Sequence, residues 1–166
     1  MFSSDILSLA QKVINGFAAE KKRIVTAESC TGGLIAGALT EIPGSSRVVE
    51  RGFISYSNDA KLEVLGVLPD LIEEHGAVSP EVAEAMAQGA LEFSQSQVAV
   101  SATGIAGPGG GTLNKPVGLV YIAIANREGA VFHSRCEFKG DRTSIRLQAV
   151  KEALTMLSLQ IAGKDD

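Results

Sequence analysis

A serine beside two glycines is the part of this sequence best suited to nucleophilic chemistry. Ser29 follows the apolar pair Ile24-Val25, and Gly32-Gly33 lead into residues 34–39, which have helical spacing. The order predicts a strand, a sharp turn and a helix, with the hydroxyl exposed beside free backbone N–H groups. Such groups can hold a phosphate or stabilise an oxyanion. The alternative is that Ser29 or Thr31 only caps the helix.

Lys61 is the candidate base for Ser29. A Ser–Lys dyad requires a neutral amine that can take the hydroxyl proton. Keeping an unperturbed lysine neutral at pH 7 costs about 4–5 kcal/mol, and burial among apolar residues supplies such a shift. The neighbours Leu62, Val64 and Leu65 suit that role. The alternative is an exposed helix lysine, and the spacing of the pair does not decide between them.

Other catalytic groups find less support. His75 and His133 are the only imidazoles, and neither belongs to a cluster with metal-ligand spacing. We therefore predict no metal site, and a Ser-His-Asp triad is disfavoured for the same reason. Cys30 is a possible nucleophile, although a small core thiol is the favoured interpretation.

A second glycine-rich segment runs from Thr103 to Gly111. It lacks the Gly-Lys-Ser/Thr ending of a Walker loop, and Asn114-Lys115-Pro116 follows where a dinucleotide fingerprint needs a helix. The segment can still approach a ligand through bare backbone. The alternative is a flexible surface connection.

The elements that must position these residues alternate between strand and helix before a late hairpin. Helices are predicted at residues 4–18, 32–40, 59–65 (capped by Asn58) and 69–76, after Ser79, and after Asp141; strands are predicted at residues 23–27, 48–56, 97–102, 117–125 and 131–138. This order predicts an α/β fold, a three-layer α/β/α sandwich with a mixed β-sheet. We expect one domain over residues 1–166.

Three predicted strands end in polar or glycine-rich residues. The first leads to Ser29, the second to Tyr56, Asn58 and Lys61, and the third to Thr103. Ligands of open α/β sheets gather beyond the carboxyl ends of the strands. If these strands are neighbours, the three groups meet in one cleft.

Composition excludes several classes of protein. The chain has 166 residues, 45% of them hydrophobic and 20% charged, which is ordinary for a globular domain. A net charge of −4 argues against nucleic-acid binding. Two cysteines make no disulfide framework, and we find neither a signal peptide nor an apolar run approaching ~18 residues. We expect a cytoplasmic protein that does not enter membranes.

Three ordered motifs resemble the CinA C-terminal domain family. They are Glu28-Ser29-Cys30-Thr31-Gly32-Gly33, Ser55-Tyr56-Ser57-Asn58-Asp59-Ala60-Lys61 and Ser101-Ala102-Thr103-Gly104-Ile105-Ala106-Gly107-Pro108-Gly109-Gly110. The shorter segments His75-Gly76-Ala77-Val78-Ser79 and Lys115-Pro116-Val117-Gly118 also match. The likeness covers essentially the whole chain. Longer relatives carry a preceding domain similar to molybdopterin-binding proteins, so this chain resembles the stand-alone form.

The resemblance implies a nicotinamide-nucleotide amidase, which converts nicotinamide mononucleotide and water into nicotinate mononucleotide and ammonia. It implies Ser29 as nucleophile and Lys61 as general base. Tyr56 and Thr103 would support the pair by hydrogen bonds or hold the carboxamide. No cofactor is expected. The protein is expected to form a homodimer or a higher homo-oligomer.

The resemblance also implies a substrate-binding set. Backbone N–H groups of Thr31, Gly32 and Gly33 would stabilise the oxyanion. The remaining members would hold the nucleotide, with the Arg142 guanidinium on its phosphate: Asn58, Gly104, Gly107, Gly109 and Arg142. The alternative function is a non-catalytic nucleotide-binding or regulatory module that uses the same cleft.

Overall fold

A five-stranded mixed sheet lies at the centre of the molecule. In the computed structural model, which describes residues 1–162, the spatial strand order is β2-β1-β3-β4-β5. β1 pairs in parallel with β2 and β3, whereas β4 runs antiparallel to both β3 and β5. The strands are β1 (Ile24–Glu28), β2 (Val49–Ile54), β3 (Val98–Gly104), β4 (Leu119–Asn126) and β5 (Val131–Glu137).

Helices cover both faces of this sheet. α1, α2 and α6 pack on one face and α5 packs on the other, with α3 and α4 beside it. The helices are α1 (Ser4–Ala19), α2 (Leu34–Thr40), α3 (Asn58–Leu65), α4 (Pro69–His75), α5 (Pro80–Glu92) and α6 (Arg142–Ser158). The predicted three-layer α/β/α sandwich is confirmed.

The core consists of small and branched apolar residues on either side of the central strands. All five residues of β1 are buried, as are Leu119 and Val120 in β4. Near-continuous apolar runs of this kind are typical of strands that are covered on both faces. Within residues 1–162, no helix has the length and apolar content needed to cross a bilayer.

The register of the parallel strands brings three chain segments level at one edge of the sheet. Glu28, the last residue of β1, pairs with Ile54 of β2 and with Ala102 of β3. The next residues along these strands are therefore Ser29, Ser55 and Thr103. A shared cleft required β1, β2 and β3 to be neighbours, and β1 does lie between β2 and β3.

Two predicted helix starts are wrong by one or two residues. α2 begins at Leu34, because Gly32 and Gly33 adopt positive φ angles of 56° and 98° that continue the turn. α3 begins at Asn58, because the Ser57 side chain, and not that of Asn58, caps it by accepting a hydrogen bond from the Ala60 N–H. A single 3₁₀ turn at Ser45–Arg47, which we did not predict, precedes β2.

Candidate active site

The Ser29 hydroxyl and the Lys61 amine are in hydrogen-bond contact. Lys61 Nζ lies 3.0 Å from Ser29 Oγ, although the two residues are 32 positions apart in the sequence. Ser29 is 8% exposed and Lys61 only 1% exposed. The turn after β1 presents the hydroxyl, and the first turn of α3 presents the amine. The alternative of an exposed helix lysine is therefore wrong.

Two backbone carbonyls hold the other side of the Lys61 amine. Lys61 Nζ lies 3.0 Å from the carbonyl oxygen of Ser55 and 3.2 Å from that of Tyr56. A neutral amine has two N–H donors and one lone pair. If the two N–H groups donate to these carbonyls, the lone pair faces the Ser29 hydroxyl. The arrangement suits proton transfer from Oγ to Nζ.

Burial lowers the pKa of Lys61 from its ordinary value of 10.5, because desolvation disfavours the charged amine. A proximate Cys30 thiolate would oppose this shift. Burial, however, raises the pKa of Cys30 to about 12, so that thiol stays protonated near neutral pH. The structure thus gives Cys30 the surroundings of a core thiol rather than those of a nucleophile.

The Glu28 carboxylate occupies the N-terminus of α2. Its oxygens accept hydrogen bonds from the N–H groups of Gly33 at 3.1 Å, Ile35 at 3.0 Å and Ala36 at 2.9 Å, and the side chain is fully buried. This carboxylate satisfies the helix donors that we expected to be free for a phosphate or an oxyanion. The expectation for Gly33 is therefore wrong.

Gly32 is likewise not a free donor, since its N–H donates to the Ser29 carbonyl at 3.0 Å. Its positive φ suits glycine, and an added Cβ would lie 3.1 Å from Nη2 of Arg146. Thr31 is fully buried, and its hydroxyl has no hydrogen-bond partner among residues 1–162. Of the predicted donors, only the Thr31 N–H has no acceptor among those residues.

Tyr56 contacts Lys61 Nζ through its backbone carbonyl. Its side chain is 60% exposed, and its hydroxyl accepts a hydrogen bond from Arg142 Nη2 at 3.0 Å. Arg142 Nη1 donates to the carbonyl of Gly107 at 2.7 Å. The guanidinium at the start of α6 therefore joins the loop before α3 to the glycine-rich loop after β3.

Thr103 lies at the same sheet edge, but its hydroxyl points to another partner. Thr103 Oγ1 donates to the carbonyl of Ala77 at 2.9 Å, and the residue is 1% exposed. Among residues 1–162, the Thr103 hydroxyl makes no hydrogen bond to Ser29 or Lys61, contrary to expectation. Instead, the hydroxyl ties the end of β3 to the segment before α5.

The remaining predicted residues differ in their surroundings. Gly104 has a packing reason to be glycine, because an added Cβ would lie 2.7 Å from the Leu119 carbonyl oxygen. Gly107 is buried, has a φ of 78° and receives the Arg142 hydrogen bond. Gly109 faces open space, and Asn58 is exposed.

Arg146 is a residue of this site that the sequence analysis missed. Its Nε donates to the Cys30 carbonyl at 3.0 Å and its Nη2 to the Thr31 carbonyl at 3.2 Å. The side chain thus holds the turn that carries Ser29 from more than a hundred positions away. Nothing in the local pattern of α6 singles it out.

Within the described residues, no three His, Cys, Asp or Glu side chains form a metal-binding group.

The fold and the site define a three-layer α/β protein with a buried Ser–Lys pair at the carboxyl edge of its parallel strands. The family model of the CinA C-terminal domain matches residues 6–161. The chain belongs to that family, as its three motifs indicated.

Individual relatives agree with this assignment. The chain is 45% identical over 157 residues to nicotinamide-nucleotide amidohydrolase PncC of Escherichia coli K12, with 95% of each chain covered. It is 52% identical over 154 residues to a protein of Caldicellulosiruptor bescii named as competence-damage inducible. That match covers 92% of this chain and 37% of the relative, so the chain spans little more than a third of that protein.

A solved structure matches the fold as well. The crystal structure of the competence/damage inducible protein CihA from Agrobacterium tumefaciens superposes with a TM-score of 0.93 at 52% identity. The match covers 95% of this chain and 96% of that one.

Proposed function

We propose that this protein is an amidohydrolase that deamidates nicotinamide mononucleotide to nicotinate mononucleotide and ammonia. The observation that carries the proposal is the 3.0 Å contact between Ser29 Oγ and a buried Lys61 Nζ whose other contacts are two carbonyls. The PncC name of the Escherichia coli relative supports the choice of substrate.

The first half of the reaction forms an acyl-enzyme. Ser29 Oγ attacks the carboxamide carbon while Lys61 Nζ accepts the hydroxyl proton. The carbonyl oxygen becomes a tetrahedral oxyanion. Its collapse breaks the C–N bond, and Lys61 returns the proton to the leaving nitrogen, which departs as ammonia. An ester between the nicotinoyl group and Ser29 remains.

The second half hydrolyses that ester. Lys61, neutral again, takes a proton from a water molecule that attacks the ester carbonyl. The second tetrahedral intermediate expels Ser29 Oγ, which recovers its proton from Lys61. Nicotinate mononucleotide leaves, and the pair returns to its starting state. One amine therefore serves as base and then as acid in each half.

Arg142 supports the nucleotide end of this proposal. A guanidinium has five N–H donors, and Arg142 uses one nitrogen on the Gly107 carbonyl and another on the Tyr56 hydroxyl. N–H groups remain for a phosphate on the solvent side. We propose that these groups bind the phosphate and that the loop around Gly107 and Gly109 borders the nucleotide.

The test is ammonia release from nicotinamide mononucleotide by the purified protein, with chromatographic identification of nicotinate mononucleotide. The matched control is Ser29→Ala, for which we expect binding without turnover. Treatment with a chelator should leave the rate unchanged. If wild-type protein binds the nucleotide but releases no ammonia, the chain is the non-catalytic nucleotide-binding module instead.

The setting of the enzyme is part of the same proposal. We propose that it acts in the cytoplasm, in salvage of pyridine nucleotides, without a metal or organic cofactor. We also propose that it forms a homodimer or a higher homo-oligomer, which sedimentation equilibrium would measure.

A further inference from the structure

The backbone N–H groups of the turn around Ser29 can be assigned to acceptors almost completely. Buried backbone N–H groups are nearly always paired, so an unpaired one indicates a special role. Among residues 1–162, only the N–H groups of Cys30 and Thr31 in this turn have no oxygen acceptor. The paired donors are Ser29 to Ala102 at 2.9 Å, Gly32 to Ser29 at 3.0 Å, Leu34 to Thr31 at 3.0 Å, and Gly33, Ile35 and Ala36 to the Glu28 carboxylate.

These two donors come directly after the nucleophile. Cys30 is 6% exposed and Thr31 is fully buried, so water has little access to their backbone. The N–H of the residue that follows a serine nucleophile is a common oxyanion donor, because it lies beside the attacked carbon. These two donors, which have no oxygen acceptor among residues 1–162, are therefore suitably placed for the oxyanion of the proposed reaction; the Cys30 N–H contacts only its own thiol sulfur.

Arg146 fixes the orientation of one of these donors. The carbonyl of Cys30 and the N–H of Thr31 belong to one peptide plane, and that peptide is trans. In a trans peptide the two groups point in opposite directions. Because Arg146 Nε donates to the Cys30 carbonyl at 3.0 Å, it directs the Thr31 N–H away from α6.

A second hydrogen bond completes the clamp. Arg146 Nη2 donates to the Thr31 carbonyl at 3.2 Å, so one planar guanidinium holds two consecutive peptides. The Ser29 carbonyl and the Cys30 N–H belong to the preceding peptide. This carbonyl accepts a hydrogen bond from the Gly32 N–H at 3.0 Å, which fixes the plane that contains the Cys30 N–H. The carbonyl oxygens of the two peptides that carry the Cys30 and Thr31 N–H groups are therefore both hydrogen-bonded.

We propose that Arg146 is a positioning residue that orients the backbone N–H group of Thr31, which forms an oxyanion hole for the Ser29 adduct together with the N–H group of Cys30. The inference rests on the proposed amidohydrolase function. Of the predicted donors it keeps Thr31, and it replaces Gly32 and Gly33 with Cys30. The hydrogen bonds of Arg146 go to the Cys30 and Thr31 carbonyls and not to Ser29 Oγ or Lys61 Nζ.

The first experiment compares Arg146→Ala with wild-type protein on nicotinamide mononucleotide. Losing an oxyanion donor typically lowers kcat by about 10²–10³-fold. Because Arg146→Ala disorients the Thr31 donor rather than deleting it, we expect a loss of about 10- to 100-fold in kcat, with KM within about threefold. Lys151→Ala is the matched control, since Lys151 is also a cation of α6 and pairs with Asp5. It should change neither constant.

Rescue separates positioning from folding. Methylguanidinium at millimolar concentration should restore part of the kcat of Arg146→Ala and leave Lys151→Ala unchanged. Arg146→Lys should be intermediate, because a single ammonium does not reproduce the planar guanidinium that holds both carbonyls. Thermal melts set an assay temperature at which each variant is folded. If Arg146→Ala does not fold, Arg146→Lys with and without methylguanidinium carries the test.

A second probe does not depend on turnover. Pyridine-3-boronic acid can form a tetrahedral anion on Ser29 Oγ, and amide NMR should then show shifts of the Cys30 and Thr31 N–H signals. Ser29→Ala should abolish these shifts, and the Arg146 variant should bind the boronate about 10- to 100-fold more weakly. If wild-type protein shows these shifts but releases no ammonia from nicotinamide mononucleotide, the proposed substrate is rejected and the oxyanion hole is not. Unchanged kcat and boronate affinity in the Arg146 variant, or a boronate that leaves both N–H signals unmoved, would overturn the inference.

Discussion

The Lys61 amine meets the Ser29 hydroxyl at 3.0 Å because two parallel strands, β1 and β2, end side by side. Ser29 follows β1 directly, whereas Lys61 lies in the first turn of the helix that follows β2. The pair therefore depends on strand order and on the start of α3.

Removing either member of the pair should abolish turnover. We expect Ser29→Ala and Lys61→Ala each to lower kcat by on the order of 10⁴-fold or more. The double variant should lie within about threefold of either single variant, because groups that act as one unit are strongly non-additive. Steady-state ammonia release and thermal melts measure activity and folding together. Multiplicative losses in the double variant would show that the two residues act independently.

Lys61→Arg should also be inactive, since a guanidinium keeps its proton near neutral pH. Lys139→Arg, at an exposed position before α6, is the matched control and should retain full activity. If Lys61→Arg kept near-full activity, Lys61 would not be the base.

The rate should rise with pH as Lys61 loses its proton. Burial lowers the pKa of Lys61, so the midpoint of kcat/KM should fall below 10.5. Initial rates of ammonia release across the pH range in which the protein stays folded measure this midpoint. A profile that falls with increasing pH would contradict the assignment of Lys61 as a base.

The free energy of unfolding should also depend on pH through the Lys61 amine. The folded protein binds the Lys61 proton less tightly than the unfolded chain, so the free energy of unfolding of wild type relative to Lys61→Met should rise with pH. The rise begins at the folded pKa of Lys61, ends near 10.5 and is no steeper than about 1.4 kcal/mol per pH unit. Denaturant unfolding at several pH values measures the difference.

Cys30 does not affect this comparison below pH 9.0. Its raised pKa lowers stability as pH rises above 9.0, because the unfolded chain releases that thiol proton first. Because Lys61 itself lowers the pKa of Cys30, this effect differs between the two proteins, and the comparison is therefore made below pH 9.0, where the thiol stays protonated in both. A difference that is flat, or that falls with pH, would show that burial does not lower the pKa of Lys61.

Arg142→Ala should weaken recognition of the phosphate. Charged hydrogen bonds contribute about 1.5–3 kcal/mol, so KM for nicotinamide mononucleotide should rise about 10- to 150-fold. KM for nicotinamide riboside, which lacks the phosphate, should change far less. Arg135→Ala, which removes an exposed arginine of β5, serves as the control. Equal losses on both substrates would remove Arg142 from the phosphate site.

Glu28→Gln should destabilise the fold. One carboxylate oxygen accepts from the Ala36 N–H and the other from Gly33 and Ile35, and an amide places an NH₂ group against one of these donors. We expect the free energy of unfolding to fall by about 1.5–3 kcal/mol in denaturant melts. Glu41→Gln, at the exposed end of α2, should leave it nearly unchanged. Equal stability of the two variants would contradict the capping role of Glu28.

Local sequence determined most elements of the fold. Ser79 followed by Pro80, and Asp141 before α6, predicted helix starts that the structure reproduces, because capping depends on side chains within three residues. The alternation of strands and helices predicted the layers for a similar reason. Each element shows its buried face in its own periodicity. The position of Ser29 at a turn was equally local, since it follows from a strand, a turn and a helix in succession.

The tertiary structure decided which groups meet at that turn. The sequence could not bury Lys61 against Ser29, because the contact requires β2 to lie beside β1 and the neighbouring residues to exclude water. Nor could it reveal that Glu28 occupies the donors of α2, or that Arg146 reaches the Cys30 carbonyl from 116 positions away. Side-chain patterns report the burial of an element, but a long-range hydrogen bond depends on how separate elements pack. The candidate nucleophile Ser29 could therefore be predicted from the sequence, whereas its contacts with Lys61, the Glu28 carboxylate at α2 and the Arg146 hydrogen bonds depend on the fold.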